Sequence, residues 1–263
     1  MPGLSFGRHC AEITAQTDLL RSTIEGADLT VPVPSCPGWN VGQLARHVGG
    51  AQRGAEATVR TRATGPLPDD YYRDLTPYTN EDPAVLGPWL AEGAAQLERT
   101  LRDAGPDAPV WTPVPGQNVR FYARRMTHET VMHRADGTLA VGAEFVLDHE
   151  VALDTVDEWM ELGCLPMHFE VHPWMRELLG PDRTLHFHAT DTPQDAGAEW
   201  LVDLTGDAIT WRRSHEKATV AVRGPLVDLL LLIYKRRPVD GVDVEVLGDA
   251  ALLDFWLERV SFG

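Results

Sequence analysis

The hydrophobic period changes once along this chain, and the change limits the folds open to it. Ahead of Pro166 apolar side chains recur three or four positions apart, the repeat of one helix face. The spacing predicts helices over 6–24, 41–62, 83–103, 119–134 and 148–162, with Leu86, Leu90, Leu97 and Leu101 forming one side of the third. Gly26 lies just past the first helix, where a residue that tolerates left-handed backbone belongs. The stretch VPVPSCPGWN must then be an ordered loop, because its prolines lack the amide proton that a helix interior needs. Asn40 with Gln43 three residues on makes a capping-box-like start for the second helix. TGPLPDDYYRDLTPYTNEDP reads as a proline-rich connection, and Asp136-Gly137 is expected to stop the fourth helix.

Beyond Pro166 the repeat drops to two. Leu185, Phe187 and Ala189 alternate with polar residues in RTLHFHAT, as in a half-buried strand. EWLVDLT and DAITWRRS flank Gly206-Asp207 and predict a hairpin. KATVAVRG and VDVEVLG read as further strands, with a leucine-rich helix over 225–236 between them and a last helix over 250–259. Helices followed by strands imply an α+β chain of two units: a helical bundle over 1–145 and a smaller α+β domain over 146–263.

Composition narrows the setting. With 263 residues, 43% hydrophobic and 24% charged, the chain has the make-up of a soluble globular protein with ample core. No apolar run approaches the roughly 20 residues of a membrane span. The start, MPGLSFGRHC, lacks the basic-then-apolar pattern of a signal peptide, so a cytoplasmic protein is expected. A formal net charge of −16 argues against nucleic acid and anionic membranes as partners, while leaving room for a local basic pocket. Cys10, Cys36 and Cys164 are widely spaced and form no CxxC pair, which argues against a disulfide framework and a thiolate zinc knuckle. Two lysines, Lys217 and Lys235, beside many arginines hint at a GC-rich genome.

The run RRMTHETVMHRAD, residues 124–136, carries the chemistry. Residues four apart on a helix share a face, so Glu129 and His133 point the same way, and His128 points away from His133. A carboxylate and an imidazole are ligands that zinc accepts. The pair is equally the pattern of an exposed helix ion pair. A metal site needs a third ligand from another helix, and His47 in LARHVGG, beside Leu44 and Val48, is the best placed. His186 and His188 share one face of a strand but show no third ligand, so they are expected to be surface strand residues.

Three stretches then resemble one family. VPVPSCPGWNVGQLARHVGG resembles the proline-rich loop and His-bearing helix of the mycothiol-dependent maleylpyruvate isomerase family, which is related to the DinB-like four-helix bundles. RRMTHETVMHRAD resembles that family's second motif, and RGPLVDLLLLIYKRRPVDGVDVEVLGDAALLDFW its C-terminal domain, a sterol-carrier-like α+β unit. The resemblance implies that His47, Glu129 and His133 hold a divalent metal, with zinc favoured on ligand type. It implies mycothiol, an actinobacterial thiol, as cosubstrate and an electrophilic small molecule as substrate. The expected outcome is a thiol-assisted cis–trans isomerisation or an S-transfer. Arg223 and Arg237 are candidate catalytic groups for an acidic substrate, and Arg125, with Arg124, a candidate for cofactor binding; a surface ion pair is the other reading of each. Trp39 is expected to staple the loop to the next helix, and Cys36 to be buried and inert. Two rival readings stay open: a small-molecule-binding protein with a structural metal, and a metal-dependent hydrolase.

Overall fold

A computed structural model describes residues 3–68 and 75–260. Part of the expected proline-rich connection, 69–74, lies outside the described residues. The chain divides into two compact units, one of Leu4–Phe145 and a second made of Gly3 and the chain from Val146 onward. Among the described residues no helix is long and apolar enough to cross a membrane.

The first unit packs four helices: α1 (Phe6–Ile24), α2 (Val41–Arg60), α3 (Pro83–Ala104) and α4 (Val119–Ala140). Each starts on a residue whose side chain accepts a hydrogen bond from an unpaired first-turn amide. Ser5, Asn40, Asp82 and Asn118 do this, and Asn40 with Gln43 forms the full reciprocal box. Leu86, Leu90, Leu97 and Leu101 of α3 are all fully buried, each worth about 1.5–3 kcal/mol. Polar contacts fix the register of α2. Buried Gln52 donates to Thr17 of α1 at 2.9 Å and to Thr130 of α4 at 3.1 Å. Gly49 of α2 lies under the Trp89 indole of α3, which Arg46 and Arg53 cover at 4.2 and 3.9 Å from the ring centre. A Cβ at Gly49 would collide with that ring.

The fourth helix does not stop at Asp136-Gly137; it continues to Ala140. Gly137 faces Leu20 and Leu44, where the absence of a side chain lets helices approach, and Asp136 is fully buried with side-chain partners of its own. A dipeptide that usually marks a turn is used here for packing.

In the second unit, α5 (His149–Gly163) is followed by the short α6 (His168–Val171), which the sequence pattern did not reveal. Strands β1 (Thr184–Ala189), β2 (Glu199–Asp203), β3 (Thr210–Arg213), β4 (Val220–Gly224) and β5 (Glu245–Gly248) form one sheet in the order β3-β2-β1-β4-β5. Only β1 and β4 run parallel. Helices α7 (Leu226–Ile233) and α8 (Ala250–Arg259) complete the unit. Leu185, Phe187, Trp200, Val202, Val220 and Val222 lie on one buried sheet face, with the Trp256 ring of α8 tilted against that of Phe187 at 5.3 Å between centres. Asp157 of α5 is tied to that face, accepting from Trp200 Nε1 at 2.8 Å and from Arg213 at 2.7 Å. The leucine-rich helix is shorter than its sequence pattern. It ends at Ile233, and Lys235 adopts φ of +57°.

Candidate metal centre

The second turn of α2 and the middle of α4 bring His47, Glu129 and His133 together. His133 Nε2 lies 3.2 Å from Glu129 Oε1, and His47 Nε2 lies 3.7 Å from the same oxygen. The two imidazole rings stand edge to face with centres 4.9 Å apart. One ligating atom from each residue falls within 4.8 Å of the others, so a single ion could be shared by all three. Among the described residues no fourth His, Cys, Asp or Glu joins that group. Two nitrogens and one carboxylate oxygen with a position left over is the donor set of a catalytic zinc.

His133 is held from behind. Its Nδ1 lies 2.9 Å from Asp136 Oδ2, which fixes the ring and aims Nε2 at Glu129. Asp136 in turn accepts from Ser35 Oγ at 2.6 Å and from Cys36 Sγ at 3.6 Å. The proline-rich loop before α2 is therefore tied to α4 through the carboxylate that orients a ligand of the site. Cys36 is neither an inert core thiol nor a member of the His47–Glu129 group; it joins the layer behind His133. Burial pushes the Cys10 thiol up to about 11 and that of Cys164 to about 12, which leaves both protonated at neutral pH. Trp39 joins the site as well as the core: its ring centre is 4.8 Å from that of His47 and 6.4 Å from that of His133.

Charge is matched to this task. Burial would raise the pKa of Glu129, but the Arg125 guanidinium and hydrogen bonds with His133 and His47 hold the carboxyl well below its ordinary range. Arg125 Nη2 donates to Glu129 Oε2 at 2.9 Å, one helical turn away. Burial opposes a charge on His133, yet the Asp136 bond, helped by Cys36 and Glu129, raises its pKa well above normal. A cation is thus favoured at this spot, whether a proton or a metal. His128 takes no part; it is fully buried with its ring edge-on to His9 at 5.8 Å.

His47, Glu129 and Arg125 form the polar end of a cavity of about 370 Å³. Its other walls include Trp111, Phe121 and Met126. These residues carried no signal in the sequence, because a cavity is made by the approach of distant segments. Arg223 stands on β4, about half exposed, 3.5 Å from Glu245 of β5. Arg237 follows α7, and its Nη1 lies 3.4 Å from the Gly241 carbonyl. Both belong to the second unit.

The family model described as the mycothiol maleylpyruvate isomerase N-terminal domain matches residues 10–136, and the model of the corresponding C-terminal domain matches 150–255. Two crystal structures of a mycothiol-dependent maleylpyruvate isomerase, one a histidine-to-alanine variant, share the fold. The variant superposes with a TM-score of 0.61 at 14% identity, and the other with 0.60 at 15%; each covers 93% of this chain and 96% of its own. No curated protein matches the chain in sequence.

Proposed function

Because this chain belongs to the mycothiol-dependent maleylpyruvate isomerase family, a family of enzymes, we propose that it is a thiol-dependent metalloenzyme with one divalent ion on His47, Glu129 and His133. The observation that carries this reading is the convergence of two imidazoles and a carboxylate, two of which, His47 and Glu129, line an otherwise largely apolar cavity. The donor set suits zinc. Mycothiol is the proposed cosubstrate, and the substrate is an electrophilic small molecule.

When bound, a divalent ion with one exchangeable position keeps a thiol sulfur in its nucleophilic thiolate form at neutral pH. The chain's own residues supply the rest. Asp136 holds the His133 ring in one orientation. Arg125 keeps Glu129 ionised and offers positive charge at the cavity's polar end. The apolar walls limit water around the reacting carbon. Addition of the thiolate to a conjugated double bond, rotation and elimination of the same thiol would isomerise the substrate. Displacement of a leaving group would instead leave a thioether. Arg223 and Arg237 are proposed to bind acidic groups, a role supported by residue type and, for Arg223, by its partial exposure.

The test is metal content by mass spectrometry with turnover measured in parallel. His47→Ala and Glu129→Ala should each lose about one equivalent of metal and all thiol-dependent turnover. Unchanged metal in both would remove the centre. Turnover that persists without any thiol would make it a hydrolytic site instead.

A further inference from the structure

The second sheet face carries a cluster that the strand pattern showed only in half. His186 and His188 lie on one face of β1, opposite the buried Leu185 and Phe187. Antiparallel register sets Glu199 of β2 directly across from His188. His215 follows β3, in a segment where the Ser214 amide hydrogen-bonds to the Glu199 carbonyl, and that bond brings the imidazole beside the same carboxylate. Around Glu199 Oε2 stand His215 Nδ1 at 2.6 Å, His186 Nε2 at 2.9 Å and His188 Nδ1 at 3.5 Å. The three ring centres are each 5.8 Å from the other two. The expectation that His186 is a surface residue fails: it is 5% exposed.

Hydrogen bonding accounts for only part of this arrangement, the contact between His215 Nδ1 and Glu199 Oε2. One carboxylate oxygen cannot accept three well-aligned bonds. His186 Nε2 is buried and, although close to Oε2, makes no hydrogen bond of acceptable geometry. A buried ring nitrogen that lies against a carboxylate oxygen without a well-aligned bond to it needs an explanation, and an ion between them is one. We propose that His186, Glu199 and His215 form a second metal site, which takes a zinc-like divalent ion on two imidazole nitrogens and one carboxylate oxygen. An open cleft of about 510 Å³, lined by His188, Glu199, His215 and Arg223 among others, gives a further ligand access to the ion. All three residues belong to the second unit, and none is shared with the bundle site.

The side chain of His215 is 78% exposed, so His215→Ala removes a ligand without touching the core. The experiment titrates tag-free full-length protein with Co²⁺, reading the visible absorption of the bound ion and the stoichiometry after dialysis. His47→Ala disables the bundle site. That variant should retain about one equivalent, and the His47→Ala/His215→Ala double variant should lose it. No Co²⁺ bound by His47→Ala, or the same amount bound by the double variant, would overturn the proposal. One equivalent in the unmodified protein that survives His47→Ala and disappears in His215→Ala would support it while removing the bundle site.

Discussion

The two halves of this molecule each gather histidines around one glutamate, two in the bundle and three in the sheet, and they do so by different means. In the bundle, Glu129 and His133 are four apart on one helix, so backbone geometry alone aligns them, and packing of α2 on α4 brings in His47. In the sheet, His186, Glu199 and His215 come from β1, β2 and the segment after β3 and meet only through strand register. The support differs as well. His133 has a buried carboxylate behind it that is itself bonded to Ser35. The sheet cluster includes a largely exposed His215. A preorganised centre needs ligands locked by a second layer, and among the described residues the proposed bundle site has one in the form of Asp136 behind His133.

Removing that second layer is a direct way to test the contrast. The largest effect should come from the ligand itself: His133→Ala should cost metal affinity and turnover by more than the roughly 10–100-fold usual for an outer partner. Asp136→Asn, which leaves all three bundle ligands in place, should fall within that 10–100-fold range when zinc affinity is measured by chelator competition. Equal affinity in Asp136→Asn and the unmodified protein would mean that packing alone orients His133.

A pH series sharpens the same comparison. In metal-free protein the His133 pKa lies well above its usual value of about 6.5, so at neutral pH a metal must displace a proton. Affinity at the bundle should therefore rise about tenfold per pH unit below the raised pKa and level off above it. Glu129, already ionised across this range, should add no slope. The stability that the His133 proton lends is complete below about pH 6.5 and is lost as pH climbs through the raised value. The melting-temperature gain on adding zinc should accordingly grow with pH; a flat gain between pH 6 and 8 would contradict it. A smaller, purely structural effect is expected of Gly49→Ala, which should cost about 1–3 kcal/mol in chemical denaturation because the Trp89 ring, held between two arginines, must shift.

What the sequence revealed follows the same divide. Helix faces, the Asn40 cap and the Glu129–His133 pair are local, so residue pattern and spacing exposed them, and the buried stripe of α3 appeared where its leucines stand. His47 could be nominated because it lies on a partly apolar helix face. Asp136 was legible as a residue but misread as part of a helix stop, since its role depends on Ser35, 101 positions away in the chain. Glu199 and His215 gave no warning at all. Nothing in the letters of β1 states which residue of β2 will sit across from His188, and a one-residue slip would send Glu199 to the opposite face.

Trp39 has a practical consequence. Its indole lies beside His47 and His133, the two histidines proposed to hold the bundle ion, so an open-shell ion such as Co²⁺ bound there should quench its emission. The bundle thus contains its own optical gauge. Loading of that centre can be followed as the part of the fluorescence loss that disappears in Trp39→Phe, which separates it from ions bound elsewhere on the chain.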